Sequence, residues 1–169
     1  MTPSALAQLY DAHSASIFAF ALNLTRDGEA GREILQEVFL RMARRSDLEI
    51  DSAGVRSWLF RMAHNLIIDR HRRADARART IERAALEPVN PFVPHIDPDE
   101  QAFQTAVAAA MRTLPEEQRA VVHLKLWEQL SFSEIGNVLD LNPNTAASRY
   151  RYALEKLQSE LRPLYEEIR

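Results

Sequence analysis

A cluster of four prolines within residues 86–100 interrupts a chain whose pattern is otherwise helical. No helix can run through Pro88, Pro91, Pro94 and Pro98, because each proline lacks a backbone N–H and its ring clashes with the preceding turn. Prolines also favour an extended backbone, so this segment is expected to separate two folded parts while keeping some stiffness. With 169 residues, the chain is long enough for two small domains.

Helices are predicted on both sides of this linker. The chain has only four glycines, its apolar residues recur three and four positions apart, and no alternating strand pattern stands out. Turns are expected at Asp27-Gly28 and over residues 47–54. The expected buried stripes of the first part are Ile17, Ala21 and Leu24; Ile34, Leu35, Val38, Phe39 and Met42; and Trp58, Leu59, Met62, Leu66 and Ile67.

Capping residues mark the helix starts of the second part. Pro115 is expected to open a helix, because the first helical position does not need its N–H, and the apolar face of that helix is predicted to hold Val121, Val122, Leu126 and Trp127. Ser131 and Glu134 have the spacing of a capping box. Asn142 is the predicted N-cap, and Pro143 the first residue, of a last helix that continues to Leu161.

A short helix, a tight turn and a longer helix form a helix-turn-helix, whose second helix can enter a major groove. From spacing alone, the alternative is a helical hairpin that packs against another protein. We predict an all-α fold in which two small helical domains, residues 1–80 and 102–169, are joined by the proline-rich linker 81–101. The solvent side of the last helix is expected to carry Asn144, Thr145, Ala147, Ser148, Arg149, Arg151, Tyr152 and Lys156.

Charge is distributed unevenly along the chain. The net charge of -3 and pI of about 6.0 argue against a nucleic-acid-binding protein. From Arg61 to Arg83, however, seven arginines stand against three acidic residues, which gives this segment a net charge of +4. Such a run is more often a solvated face than a binding site, so its position in the fold must decide between the two interpretations.

The sequence argues against several function classes. It has no cysteine, and its five histidines form no HExxH motif. It also has no glycine-rich phosphate loop, no nucleophile elbow, no secretion signal and no apolar run of membrane-spanning length. We therefore predict no enzyme, no catalytic residue, no metal, no cofactor, no small-molecule substrate and no membrane insertion, and we expect a cytoplasmic location.

Three blocks of the sequence resemble the bacterial extracytoplasmic-function (ECF) sigma factors. They are ILQEVFLRMARR (34–45), RSWLFRMAHNLIIDRHRR (56–73) and LPEEQRAVVHLKLWEQLSFSEIGNVLDLNPNTAASRYRYALEKL (114–157). The resemblance implies an N-terminal domain similar to sigma region two and a C-terminal domain similar to region four. It implies a protein that binds core RNA polymerase and promoter DNA and directs promoter recognition, DNA opening and transcription initiation. Family members are often held by an anti-sigma factor, which is a further expected partner.

The resemblance also implies roles for individual residues. Arg149 is the leading candidate for a base contact, because arginine to guanine is the commonest specific contact in DNA recognition. Trp58 is favoured as a core residue over a stacking partner of DNA. The candidates are Gln36, Glu37, Leu40 and Arg41 for polymerase binding; Arg61, Asn65, Asp69, Arg70, Arg72 and Arg73 for the minus ten element; and Asn144, Thr145, Ser148, Arg149 and Arg151 for the minus thirty-five element.

The chain departs from the family's pattern near the helix-turn-helix, where Asp140 replaces a common glycine and Ala147 a frequent lysine. Losing that lysine removes an expected phosphate contact, so the promoter preference does not follow from the resemblance. The alternative function is a helix-turn-helix regulator that acts without RNA polymerase, which leaves the first two blocks unexplained. A helical adaptor protein is a third possibility and predicts negligible, salt-insensitive DNA affinity.

Overall fold

The structure, a computed structural model, describes residues 2–45, 52–78 and 98–167. These residues form seven α-helices and no β-strand, so the predicted all-α fold is confirmed. The helices are α1 (Pro3–Thr25), α2 (Gly28–Ala43), α3 (Ser52–Ala78), α4 (Pro98–Thr113), α5 (Glu116–Leu126), α6 (Phe132–Leu139) and α7 (Pro143–Glu167).

The helices belong to two compact units. Helices α1, α2 and α3 contact one another, and α7 contacts α4 and α5. Residues 81–97 of the predicted linker lie outside the described residues. Helix α4 begins at Pro98, inside the range predicted for the linker, because proline fits the first position of a helix.

The first unit has an apolar core at the junction of α1, α2 and α3. The rings of Phe20 and Phe60 meet edge to face, with their centroids 5.4 Å apart. Most residues of the three predicted stripes are buried, whereas Leu35, Trp58, Met62 and Leu66 are only partly buried. The guanidinium of Arg45 lies over the Trp58 ring, 5.3 Å from its centroid, so this tryptophan is a boundary residue rather than a core residue.

The two turns predicted for this unit have different outcomes. The predicted Asp27-Gly28 turn is present, and Asp27 Oδ1 accepts hydrogen bonds from the backbone N–H groups of Glu29 and Ala30 at 2.9 and 3.2 Å. Of the turn predicted over residues 47–54, residues 47–51 lie outside the described residues, and the prediction is wrong for 52–54, because α3 already begins at Ser52. The first turn of a helix tolerates serine and glycine, since its N–H groups have no partner within the helix in any case.

Helix α5 differs from its prediction in two ways. It begins at Glu116, with Pro115 as the N-cap, one residue later than predicted. Leu126 and Trp127, predicted on its apolar face, are 48% and 50% exposed. Leu126 is the last residue of the helix and Trp127 is its C-cap, so both lie at the end of α5 rather than along its length.

Polar side chains of α5 and of the turn after it are buried instead. Arg119, His123 and Glu128 are all buried. Arg119 Nη1 donates to the carbonyl oxygen of Leu114 at 3.1 Å, and His123 Nε2 lies 3.7 Å from Glu128 Oε1. The His123 ring also stacks on Trp127. These contacts tie the ends of α5 to the adjoining turns.

The helix-turn-helix is formed by α6 and α7. The predicted capping box is confirmed: Ser131 N–H donates to Glu134 Oε2 at 2.7 Å, and Glu134 N–H donates to Ser131 Oγ at 3.2 Å. Asn142 Oδ1 accepts from Asn144 N–H at 2.8 Å, which confirms Asn142 as the N-cap of α7. The ring of Phe132 on α6 lies 5.7 Å from that of Tyr150 on α7.

Helix α7 is longer than predicted and provides much of the core of the second unit. It runs past Leu161 to Glu167 with Pro163 inside, because the proline removes a single hydrogen bond close to the helix end. Its inner residues Ala153 and Leu157 pack in one apolar cluster with Ala110, Met111, Leu114 and Val122. The core therefore fixes which side of α7 faces solvent.

Candidate nucleic-acid and protein interfaces

A row of polar side chains follows one side of α3. Residues 61, 65 and 69 are four positions apart, and 72 and 73 continue the row, so all five lie along the same face of the helix. From residue 61 to residue 73 the row extends about 18 Å along the helix axis. The α3 row consists of the exposed residues Arg61, Asn65, Asp69, Arg72 and Arg73.

The α3 row carries cationic and hydrogen-bonding groups that can contact a phosphate backbone and a base edge. Its three guanidinium groups outnumber its one carboxylate, so it attracts a phosphate backbone. The Asn65 amide has both a donor and an acceptor for a base edge. The structure thus places five of the six minus ten candidates in one exposed line.

Arg70, the sixth candidate, lies off this row, on the side of α3 that faces α2, and has a protein partner. Its Nη1 donates to Glu33 Oε2, a carboxylate on α2. Both side chains are about half exposed. Arg70 therefore links α3 to α2 in this structure.

The candidate polymerase contacts lie on the outer side of α2. Val38 and Phe39 are buried, as predicted, whereas Gln36, Leu40 and Arg41 are exposed. Leu40 is 44% exposed, and Arg41 Nε bonds Glu37 Oε1 at 2.7 Å along the same helix. An apolar side chain surrounded by charged and amide groups suits a protein contact better than a nucleic-acid contact.

The outer side of α7 carries the minus thirty-five candidates. Asn144, Thr145 and Arg151 are exposed, and Ser148 is partly exposed. Next to them, Tyr152 is 55% exposed, and the Arg151 guanidinium lies 5.3 Å from the centroid of its ring. Residues 144, 148, 151 and 152 follow one another at helical spacing, so they form a continuous surface at the start of the second helix.

Arg149 and Lys156 are both held by other helices. Arg149 Nη2 lies 3.2 Å from Glu117 Oε2 on α5, and the arginine side chain is only 29% exposed. Lys156 Nζ donates to the carbonyl oxygen of Thr113 at 2.7 Å, at the end of α4. Glu117 is not among the candidate site residues that the sequence singles out, since no sequence pattern indicates a contact between helices.

Two other kinds of site are absent from the described residues. Those residues bring together no group of three histidine, cysteine, aspartate or glutamate side chains that could hold a metal ion. None of the helices described is both long and apolar enough to cross a membrane.

Comparison with known proteins shows the family of this chain. The family model for Sigma-70 region 2 matches residues 9–77, and that for Sigma-70, region 4 matches residues 104–157. The ECF RNA polymerase sigma factor SigL of Mycobacterium tuberculosis is 32% identical over 158 residues, covering 92% of this chain and 88% of SigL. The chain belongs to the ECF sigma factor family.

Two further proteins similar to this ECF sigma factor are themselves sigma factors. SigK of Mycobacterium sp. (strain KMS) is 27% identical over 158 residues, covering 92% of this chain and 82% of SigK. The Bartonella quintana sigma factor RpoE, solved in complex with the anti-sigma factor NepR, has a TM-score of 0.71 at 19% identity. That match covers 92% of this chain and 96% of the RpoE chain. At this identity, the RpoE match shows that the fold is shared.

The two family matches assign the candidate surfaces to two regions of a sigma factor. The α3 row and the outer side of α2 fall inside the region 2 match, and the outer side of α7 falls inside the region 4 match. A helix-turn-helix regulator that acts without RNA polymerase is not favoured, because such a protein needs no region 2.

Proposed function

We propose that this ECF sigma factor binds core RNA polymerase through the outer side of α2 and directs it to promoters through α3 and α7. The observation that carries the proposal is the presence of both sigma regions in one chain, each with an exposed polar surface. Gln36, Glu37, Leu40 and Arg41 form the proposed polymerase contact. Leu40 supplies apolar area, and the charged residues around it supply orientation.

The α3 row and Arg70 are the proposed binding site for the minus ten element as single-stranded DNA. The arginines neutralise phosphates, and Asn65 reads a base edge. Asp69 accepts hydrogen bonds, which suits a base amino group and opposes a phosphate at that position. Binding one strand in this way favours the opened promoter over the duplex.

The outer side of α7 is the proposed reader of the duplex minus thirty-five element. Asn144 and Thr145 stand at the helix start, where a recognition helix approaches base edges. Ser148, Arg149 and Arg151 follow along the helix, and a bidentate arginine to guanine contributes about 1–3 kcal/mol of discrimination. Ala147 offers no charge to a phosphate.

The proposal extends to organisation and location. Residues 1–80 act as the first functional domain and 81–97 as the linker, and the second domain begins with α4 at Pro98 rather than at residue 102. The factor catalyses no reaction itself and works in the cytoplasm, where polymerase and promoters are. RpoE of Bartonella quintana was solved with an anti-sigma factor, and we propose a partner of the same kind for this chain.

Transcription in vitro tests the function. Core bacterial RNA polymerase is combined with the full chain and a library of candidate promoters, and the transcripts are sequenced. We expect specific start sites only when the factor is added. Arg149→Ala should weaken them, whereas Arg162→Ala, which removes an exposed arginine paired with Glu166 near the end of α7, should not. Absence of transcripts together with absence of binding to core polymerase would refute the proposal.

A further inference from the structure

Two arginines in the candidate DNA-binding surfaces are paired with glutamates from neighbouring helices. In the second unit, Arg149 of α7 lies 3.2 Å from Glu117 of α5. In the first unit, Arg70 of α3 bonds Glu33 of α2. The pairs belong to different units and different sigma regions, so they are independent instances of the same arrangement.

A carboxylate offers an arginine the same chemistry as DNA does. Carboxylate and phosphate oxygens both accept hydrogen bonds from the planar guanidinium fork, and guanine presents two acceptors to the same donors. An arginine whose Nη group is engaged by a carboxylate must release or share that contact before it can bind DNA fully. The glutamate and the DNA therefore compete for the same donor.

The exposure of these pairs makes the competition reversible. Glu117 is 71% exposed and Glu33 56% exposed. Ion pairs in such positions are weak because water screens them, so DNA can displace the glutamate. A deeply buried pair would instead hold the arginine permanently.

We propose that Glu117 and Glu33 act as built-in competitors of DNA, which lower the affinity of the free factor for nucleic acid. The inference rests on the proposed function, because it requires Arg149 and Arg70 to contact DNA. In the free chain each arginine is engaged within the protein, and contact with random DNA carries the cost of breaking an ion pair. At a promoter, additional contacts from the same surface offset this cost.

The test for Glu117 measures binding of the full chain to a labelled duplex of random sequence. Fluorescence anisotropy at low salt monitors this binding. The variants are Glu117→Gln, Arg149→Ala and the double variant. Glu160→Gln is the matched control, because it removes the same charge from an exposed position on α7. Thermal melting, monitored by circular dichroism, verifies that each variant is folded.

We expect Glu117→Gln to bind random duplex about 1.4- to 5-fold more tightly than the original protein, and more tightly than Glu160→Gln. The double variant should bind like Arg149→Ala, because the glutamate acts through that arginine. A gain that persists without Arg149, or a gain no larger than that of Glu160→Gln, would overturn the inference for this pair.

The test for Glu33 uses a single-stranded oligonucleotide of random sequence. Glu33→Gln should bind it more tightly than the original protein, and this gain should disappear when Arg70→Ala is added. Asp11→Asn, an exposed carboxylate on α1, is the charge-matched control. Equal gains for Glu33→Gln and Asp11→Asn would show a diffuse charge effect and overturn the inference here.

Transcription assays on the same samples separate this inference from the proposed function. If the original protein directs promoter-specific transcripts while Glu117→Gln and Glu33→Gln gain nothing over their controls, only the inference fails. If the original protein neither binds DNA nor supports transcription, the proposed function fails and the inference fails with it.

Discussion

The backbone N–H of Leu141 donates a 2.8 Å hydrogen bond to the carbonyl oxygen of Gly136. Between them, Asp140 has a left-handed backbone with φ of 56°. This pattern is a Schellman ending, which satisfies a terminal carbonyl of α6 and turns the chain towards α7. The turn folds back so closely that a Cβ atom on Gly136 would lie 2.5 Å from the oxygen of Leu141.

Gly136→Ala is therefore expected to destabilise the helix-turn-helix. The added methyl meets backbone rather than a flexible side chain, so the turn must shift, at a cost of about 1–3 kcal/mol in the free energy of unfolding. Urea denaturation of the full chain measures this change. Gly54→Ala in α3 is the control, because nothing lies within 4 Å of its Cβ position. Equal stability of the two variants would contradict the prediction.

Asp140→Gly should have the opposite effect. A left-handed backbone is unfavourable for most residues with a Cβ and is open to glycine, whose greater freedom in the unfolded chain offsets part of the gain. We expect the free energy of unfolding to rise by about 0.5–1 kcal/mol. Asp140→Val, with a branched Cβ, should lower it. The prediction is wrong if Asp140→Gly is less stable than the original protein.

Ser131→Ala is expected to weaken the start of α6. The Ser131 hydroxyl accepts the Glu134 N–H, and its loss costs about 0.5–2 kcal/mol in the free energy of unfolding. Glu134→Gln should retain most of the stability, because an amide oxygen can also accept the Ser131 N–H. Denaturation measures the change in stability, and Ser133→Ala, at an exposed position on the same helix, is the control. Equal losses at residues 131 and 133 would refute the capping role.

The sequence predicted those features of the fold that depend on neighbouring residues. The capping box at Ser131, the N-cap at Asn142 and most of the buried stripes rest on contacts three or four residues apart, which a sequence displays directly. The same holds for the α3 row, since Arg61, Asn65 and Asp69 share a face in any helix that contains them.

Features that depend on contacts between helices could not be read in this way. Leu126 and Trp127 continue the apolar periodicity of α5, yet about half of each residue is exposed. The buried Arg119 and His123 interrupt that periodicity with polar groups whose partners lie in the adjoining turns. The pairing of Arg149 with Glu117 requires the relative placement of α5 and α7, which no local pattern specifies.

Arg72→Ala tests the role of the α3 row through the salt dependence of DNA binding. The loss of one phosphate contact should weaken binding to single-stranded DNA of any sequence and should reduce the log–log salt slope by about 0.7. Titrations of the full chain at several salt concentrations measure both quantities. Arg32→Ala on α2 removes the same charge from an exposed position outside the proposed sites. An unchanged slope, or the same change in Arg32→Ala, would argue against the row as a DNA contact.

Leu40→Glu tests the proposed polymerase contact on α2. Leu40 is 44% exposed, so the substitution should change the free energy of unfolding by no more than about 0.5 kcal/mol. At an interface, a buried carboxylate facing apolar atoms is unfavourable, and we expect core polymerase affinity to fall about tenfold or more. Competition against a labelled factor measures this affinity, and binding of the free chain to DNA should stay unchanged.

The control for Leu40→Glu is Phe103→Glu, at a position 41% exposed on α4. It exchanges an apolar side chain of similar exposure for the same charge, so it accounts for any general effect of added negative charge on association with polymerase. If Leu40→Glu and Phe103→Glu reduce affinity equally, the contact does not depend on the outer side of α2. If only Leu40→Glu reduces the affinity for core polymerase, the exposed leucine belongs to the surface that binds polymerase.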